Sequence, residues 1–213
     1  MATESKDAIS YKQKPVKIIR DRKILELFKD ENLDIVLKFL KKGPMSITDI
    51  EESFKKIGDE KSDKSIYRYL HKLIQAKLVA KAGKRITSTN ESNLITETIY
   101  SRVAIAFITV TPVDDRECQG TETCPVWEAT RVLLQEFFGK NADPTIFANF
   151  CSQLDSDKDD LVIGLFENAT EETLEKIAHL DYMGVNYVLQ FAGWLAFSTK
   201  LDIGPKLKEI FNE

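Results

Sequence analysis

The sequence is poor in the residues that chemistry usually needs. It has two histidines, His71 and His179, no Gly-rich phosphate loop and no Gly-x-Ser-x-Gly turn. The common triad and nucleotide-binding routes are therefore closed, and a chain that is not an enzyme and carries no cofactor is expected. Cysteine is scarce too. Cys118, Cys124 and Cys151 are an odd number at loose spacing, which argues against a disulfide framework and for a reducing, cytoplasmic setting. The five-residue gap between Cys118 and Cys124 is not a standard zinc spacing. Unremarkable free cysteines outweigh a metal or redox sensor assembled with Cys151 or His179, so no metal ligands are assigned. Residues 1–23 are polar and Lys-rich, without the apolar core of a secretion signal. The most apolar run, Tyr182 to Phe197, is short for a bilayer and interrupted by Asn186 and Gln190. It reads as a buried core helix, with no membrane partner.

Two motifs fail on inspection. Asp155 to Asp160 is dense in acids like a calcium loop, but Asp160 stands where the loop needs glycine and Phe166 where it needs glutamate, so a solvated helix start is the better reading. Asn90-Glu-Ser92 and Asn168-Ala-Thr170 match the glycosylation triplet, which means little without a secretion signal.

Charge is what the chain does have. The net value of −4 divides unevenly: residues 1–86 hold 21 Lys/Arg against 13 Asp/Glu, and residues 87–213 hold 9 against 21. A basic module with an anionic partner, joined to an acidic module that avoids it, accounts for this split. Chance clustering of solvated lysines accounts for it equally well from charge alone.

Along the basic half, residues 1–16 are polar and aperiodic and read as a flexible arm. Val16 to Phe28 carries Ile18, Ile19, Ile24, Leu25 and Phe28 at helical spacing. A second helix spans about Asn32 to Lys41, with a stripe of Leu33, Val36, Leu37 and Leu40, and stops at Gly43-Pro44. Ser46 is the expected N-cap of a third, running to about Ile57, with Ile47, Ile50 and Phe54 inward. Ser62 caps a fourth that buries Ile66, Leu70, Leu73 and Ile74. Lys64, Ser65, Tyr67, Arg68, His71 and Lys72 fall on its opposite side or flanks, while Tyr69 is expected to pack inward. An extended segment from Leu78, a polar tip at Thr87 to Asn93 and a returning strand at Leu94 to Tyr100 complete a hairpin carrying Lys81, Lys84 and Arg85.

The order helix, helix, helix, hairpin is that of a winged helix. The segment from Ser62 through Tyr67-Arg68-Tyr69-Leu70 to Leu78-Val79 is similar to the recognition-helix region of archaeal ArsR-like winged helix-turn-helix regulators. Gly43-Pro44-Met45-Ser46 resembles their preceding turn and support helix, and Ala82 to Ile86 with Thr96 to Tyr100 resembles their wing. The resemblance covers roughly Asn32 to Tyr100. Three departures stand out: Lys77 replaces the glycine that takes a left-handed conformation at this helix end, at a cost of about 1 kcal/mol; the Gly58 to Lys61 loop is long; and no Cys-x-Cys metal motif lies between Ser46 and Leu70.

The acidic half reads as all-helical. Val103, Ala104, Phe107 and Ile108 favour a helix over Ser101 to Val110, although Ile105 and Val110 would equally suit a strand, and Thr111 to Thr123 reads as a loop. Helices follow at Val126 to Phe138, from Pro144 past Leu154, at Asp159 to Glu167, after Thr170, at Tyr182 to Thr199 and from Pro205 to Phe211.

The expected fold class is thus mainly α: a winged helix-turn-helix at residues 17–100, with a three-helix core and β-hairpin wing, followed by an all-helical domain at 101–213. The resemblance implies a DNA-binding transcriptional regulator in the cytoplasm. The recognition helix, 62–77, would lie in the major groove of double-stranded DNA, and the wing, 79–100, on the phosphate backbone. Ser62, Lys64, Ser65, Tyr67, Arg68, His71, Lys72, Lys81, Lys84 and Arg85 are the expected contacts. The second domain would form a homodimer, with Val126 to Phe138 as a candidate interface, although that stripe suits an internal core better. It could alternatively bind a small-molecule effector. Rival readings are a winged helix adaptor that binds protein, and a ligand or metal sensor.

Overall fold

The computed structural model describes residues 4–90, 93–110 and 124–211. The expected loop at Thr111 to Thr123 lies outside them, as do residues 91 and 92 of the hairpin tip. The chain divides into two compact units, residues 1–109 and 110–213. The boundary therefore falls nine residues beyond the one expected at Tyr100. Helices make up more than half of the described residues, beside a three-stranded antiparallel sheet and a two-stranded parallel one, so the fold is mixed rather than simply mainly α.

In the first unit, elements follow as β1 (Glu4–Ile9), β2 (Lys14–Ile19), α1 (Arg22–Leu27), α2 (Glu31–Lys41), α3 (Ile47–Lys56), α4 (Asp63–Gln75), β3 (Val79–Asn90), β4 (Asn93–Arg102) and β5 (Ala104–Thr109). The helices begin where local chemistry says they should. Asp30 accepts from the amides of Asn32 and Leu33. Ser46 and Asp49 exchange hydrogen bonds at 2.9 and 3.2 Å, a reciprocal cap satisfying two orphan donors. The apolar stripes of α2, α3 and α4 meet in one core, in which Leu33, Val36, Leu40, Ile50, Phe54, Ile66 and Leu73 are fully buried. Each contributes on the order of 2 kcal/mol through its burial. Phe39 meets Phe54 edge-on at 5.1 Å.

Leaving α4, the chain turns through Lys77 in a left-handed conformation, φ 55°. This turn places the Leu78 amide on the Leu73 carbonyl at 2.9 Å and buries the Leu78 side chain. β3 and β4 then form an antiparallel hairpin with bulges at Lys81/Gly83 and Ser88/Asn90. Paired backbone bonds between Met45 and Tyr100, at 2.9 and 2.8 Å, tie the α2–α3 loop to β4.

Three expectations fail in this unit. Residues 4–9 are not a loose arm: β1 pairs antiparallel with β3, from Glu4↔Ser88 to Ile9↔Gly83. Its side chains from Ser5 to Ile9 are exposed, so backbone bonds hold it and leave no hydrophobic period to read. Gly83 permits the approach, since a Cβ there would run into the Ala8 carbonyl oxygen. Val16 to Ile19 is strand and not helix, as its β-branched residues allow. Ser101 to Val110 is likewise extended, ending β4 and forming β5, which runs parallel to β2 in register Lys14↔Ala104 to Ile19↔Thr109. A short apolar run is ambiguous between helix and strand, and here a partner some ninety residues away decides it. Where β4 ends, Arg102 is buried with its guanidinium 4.3 Å from the Phe107 ring centre. Burial pulls its pKa down to about 10, and its Nε has no hydrogen-bond partner among the described residues.

The second unit is helical: α5 (Pro125–Phe138), α6 (Pro144–Glu167), α7 (Glu171–Ala178), α8 (Tyr182–Ser198) and α9 (Ile203–Ile210). The expected break before Asp159 is absent, because α6 runs through the acidic stretch as one helix of 24 residues. Pairs one turn apart absorb those acids: Lys158 with Asp155 at 3.4 Å and Gln153 with Asp157 at 2.7 Å. α6 packs against α5 on one part of its surface and α8 on another. Phe147 and Phe211 form a small core with Phe138. At Gly193 of α8 a Cβ would come within 2.6 Å of Val162 Cγ2, so the two helices meet where that side chain is missing. The expected internal role of the α5 stripe holds for Leu134 and Phe138 but not for Val126, Leu133 and Phe137, which are exposed. Nor is α8 the fully buried helix expected: Gly193 and Phe197 are buried, but one whole face is open. No helix is long and apolar enough to cross a membrane among the described residues.

Candidate nucleic-acid interface

Helix α4 has two chemically distinct faces because its apolar residues recur at Ile66, Leu70 and Leu73. With that side committed to the core, Lys64, Tyr67, Arg68, His71 and Lys72, at spacings of three and four, form a continuous exposed stripe. Ser62 starts the helix by accepting from the Ser65 amide. The two hydroxyls lie 3.2 Å apart, and Arg68 Nη2 donates to Ser65 Oγ at 3.2 Å. This leaves most of the Arg68 guanidinium unspent. Tyr69 packs against the core, as its position in the pattern predicts, whereas Tyr67 is exposed.

The N-terminal part of the stripe opens onto a shallow cleft of about 740 Å³, walled by Thr48 of α3, Ser62, Lys64, Tyr67 and Arg68 of α4, and Glu97 of β4. Acids share this rim. Thr48 Oγ1 donates to Glu97 at 2.7 Å. Asp63 shares a hydrogen bond with the Glu51 carboxyl, which raises its pKa, while Glu51 is held low by Lys55.

The hairpin cations part company. Asp7, Arg85 and Glu97 stand opposite one another across β1, β3 and β4 and so share one sheet face. Arg85 donates to both Asp7 oxygens, at 2.7 and 3.0 Å, and to Asp49 at 2.8 Å. These carboxylates raise its pKa further; in return its hydrogen bonds hold Asp7 low, and at Asp49, where burial pushes upward most strongly, Arg85 and Ser46 together bring the pKa down. Lys84 is one residue away and therefore on the other face, exposed, in line with Ala8 and Thr98. Lys6 of β1 shares that face, a cation that no hydrophobic period in its exposed strand marks out. Lys81 is exposed beside the bulge. The fold thus gathers Ser62, Lys64, Ser65, Tyr67, Arg68, His71 and Lys72 on α4, separates Lys84 from Arg85, and commits Arg85 to its own acids.

The cations of the unit also differ in what neutralises them. Lys29, Lys38, Lys55, Lys61 and Arg85 each hold a carboxylate within 4.0 Å. Among the described residues, Lys64, Arg68 and Lys72 hold none. Among the described residues Lys6, Lys14, Lys23, Lys41, Lys42, Lys56, Lys81 and Lys84 hold none either, so what sets α4 apart is that three such cations share one exposed helix face.

The cysteines offer no comparable site. Cys124 is buried and, against the expectation of free thiols, disulfide-bonded; Cys118 lies outside the described residues. Cys151 is free and half-buried, and burial raises its pKa to about 11. No cluster of three or more His, Cys, Asp or Glu placed to hold a metal occurs among the described residues. No family model matches this sequence, and no curated protein matches it.

Proposed function

We propose that residues 1–109 are a winged helix module that binds double-stranded DNA, and that the chain is a transcriptional regulator. The observation carrying this is the exposed stripe of α4, which sets Lys64, Arg68 and Lys72 on one helix face with no carboxylate within 4.0 Å among the described residues. An exposed helix of this width fits the major groove. Arg68 has free donors for a guanine edge, Lys64 and Lys72 offset phosphate charge, and Tyr67 and His71 add hydrogen bonds. The β3–β4 hairpin would serve as the wing, with Lys81 and Lys84 on phosphates. Arg85 takes a different part here: it positions the hairpin and leaves phosphate contact to its neighbours.

The test is a salt titration of binding to random and selected duplexes. Each phosphate contact contributes a slope of about −0.9 in log K against log salt. A Lys64→Ala/Arg68→Ala/Lys84→Ala variant should lose binding and flatten that slope by about 2 to 3. Arg68→Ala alone should cost about 1–3 kcal/mol on the selected site and much less on random duplex. Absence of wild-type binding at low salt would refute the proposal. Asp63 and Glu97 on the same rim favour one rival, an adaptor whose cleft takes a mixed-charge protein segment, and that outcome would promote it.

A further inference from the structure

Helix α8 has no Asp, Glu, Lys, Arg or His in its seventeen residues. Its packing accounts for only one side: Gly193 sits against Val162 and Lys158 of α6, and Phe197 is buried. The other side presents Met183, Tyr187, Phe191, Trp194 and Leu195, each between 48% and 72% exposed. Spacings of four, four, three and one align them on a single face over three turns. Tyr187 and Phe191 stack at 5.6 Å and 12°, so the face is preformed. We propose that this face is where a second copy of the chain docks, through an isologous contact of α8 with α8.

Area, charge and the surrounding surface support that occupant. Large side chains bury about 150–250 Å² each, so these five, roughly 60% open, expose about 600 Å². Two copies would bury about 1,200 Å² together, the lower end of stable specific interfaces, whereas 600 Å² is already the upper end of the apolar patches that monomers expose. The face carries no charge of its own, and the Lys158 ammonium of α6, 5.2 Å from the Trp194 ring centre, is buried and paired with Asp155, so closing the face on a two-fold axis opposes no unpaired like charges. The exposed apolar residues of α5 are less suited. Glu128 and Glu136 line the same cleft as Val132 and Leu133, and self-pairing there would bring acids together. A lipid surface fits poorly, since residues 110–213 carry 8 Lys/Arg against 19 Asp/Glu and interfacial helices rely on cations for anionic headgroups. This inference does not depend on DNA binding.

The experiment is sedimentation velocity of the full chain over a concentration series into the high micromolar range, in low and high salt. It compares wild type with Tyr187→Glu/Phe191→Glu, with the milder Met183→Gln, and with Leu133→Glu/Phe137→Glu on α5. Vesicle co-sedimentation with phosphatidylcholine–phosphatidylglycerol is run beside it. All substitutions are at exposed positions, and far-UV circular dichroism checks folding. Wild type should form a dimer that high salt does not weaken. The α8 double variant should weaken association at least 100-fold and Met183→Gln a few-fold, while the α5 variant still dimerises. A monomeric wild type, a dimer lost through α5 instead of α8, or vesicle binding without self-association would overturn the proposal.

Discussion

Replacing Arg85 with alanine isolates the contact that fixes the hairpin to the helical core. Its guanidinium joins β3 to Asp7 of β1 and to Asp49, the residue that also caps α3 through the Ser46 amide. Exposed ion pairs contribute about 0–1 kcal/mol each, while breaking a fully buried one costs about 3–5. Here the Arg85 side chain is 22% exposed, and Asp7 and Asp49 are 33% and 31%. Solvent screening at that exposure discounts the buried figure, so Arg85→Ala should lose about 2 kcal/mol at pH 7. The sign with pH follows from the acids. Asp7 is held low by its hydrogen bond to Arg85. At Asp49, burial pushes upward, but Arg85 and Ser46 together hold it low. Depressed carboxylates give stability that is complete above the unfolded value of about 3.9 and is lost as pH falls through the folded value. The gap between wild type and variant should therefore be full at pH 7 and shrink toward pH 3. Urea unfolding followed by circular dichroism measures it. Tryptophan fluorescence reports separately on residues 110–213, where both tryptophans, Trp127 and Trp194, reside. An equal loss at pH 3 and pH 7 would refute the electrostatic account, because it would mean that the arginine stem, and not its charge, does the holding.

Lys77→Gly should stabilise the first unit by about 1 kcal/mol, since glycine takes the left-handed conformation without the Cβ penalty. The loss of a cation beside Lys17, whose pKa is lowered by burial and then by Lys77, acts in the same direction; an unchanged or lower urea midpoint would contradict both effects. Cys151, its pKa raised to about 11 by burial and then by Asp155, should react with iodoacetamide at pH 8 far more slowly in the folded chain than in urea, and equal rates would show that the thiol is open.

What the sequence could announce depended on distance along the chain. The caps of α2, α3 and α4 involve partners two or three residues apart, and their stripes repeat within one turn, so both are written locally. The left-handed turn at Lys77 was equally legible, from the resemblance at that helix end. The exposed stripe of α4 followed from the same periodicity. By contrast, β1 pairs with residues about eighty positions on, and β2 with residues ninety on. Neither strand carries a clean alternation, because one is exposed and the other is a short apolar run. Arg85 looked like a wing cation because its acids are 78 and 36 residues away. The open side of α8 was illegible for another reason: a helix apolar all round gives no sign of which face its neighbour covers.

The acids that remove Arg85 from the surface also explain how the proposed interface keeps its shape. Asp49 is held from both directions, by the Ser46 amide within α3 and by Arg85 from the sheet. Thr48 beside it bonds Glu97 of β4. Two consecutive residues in the first turn of α3 therefore grip two different strands of the hairpin, while Met45, just before that helix, pairs with Tyr100. The three attachments lie along one edge, so the hairpin cannot swing relative to α3 without breaking a charge-assisted bond. α3 in turn shares Ile50 and Phe54 with the core that holds α4. Within residues 1–109, the cations of β3 and the stripe of α4 are thus carried on one rigid platform, and binding need not spend free energy on ordering them. On this argument, loosening the clamp would weaken DNA binding only as far as it disorders the hairpin, whereas removing Arg68 would weaken it with the platform intact.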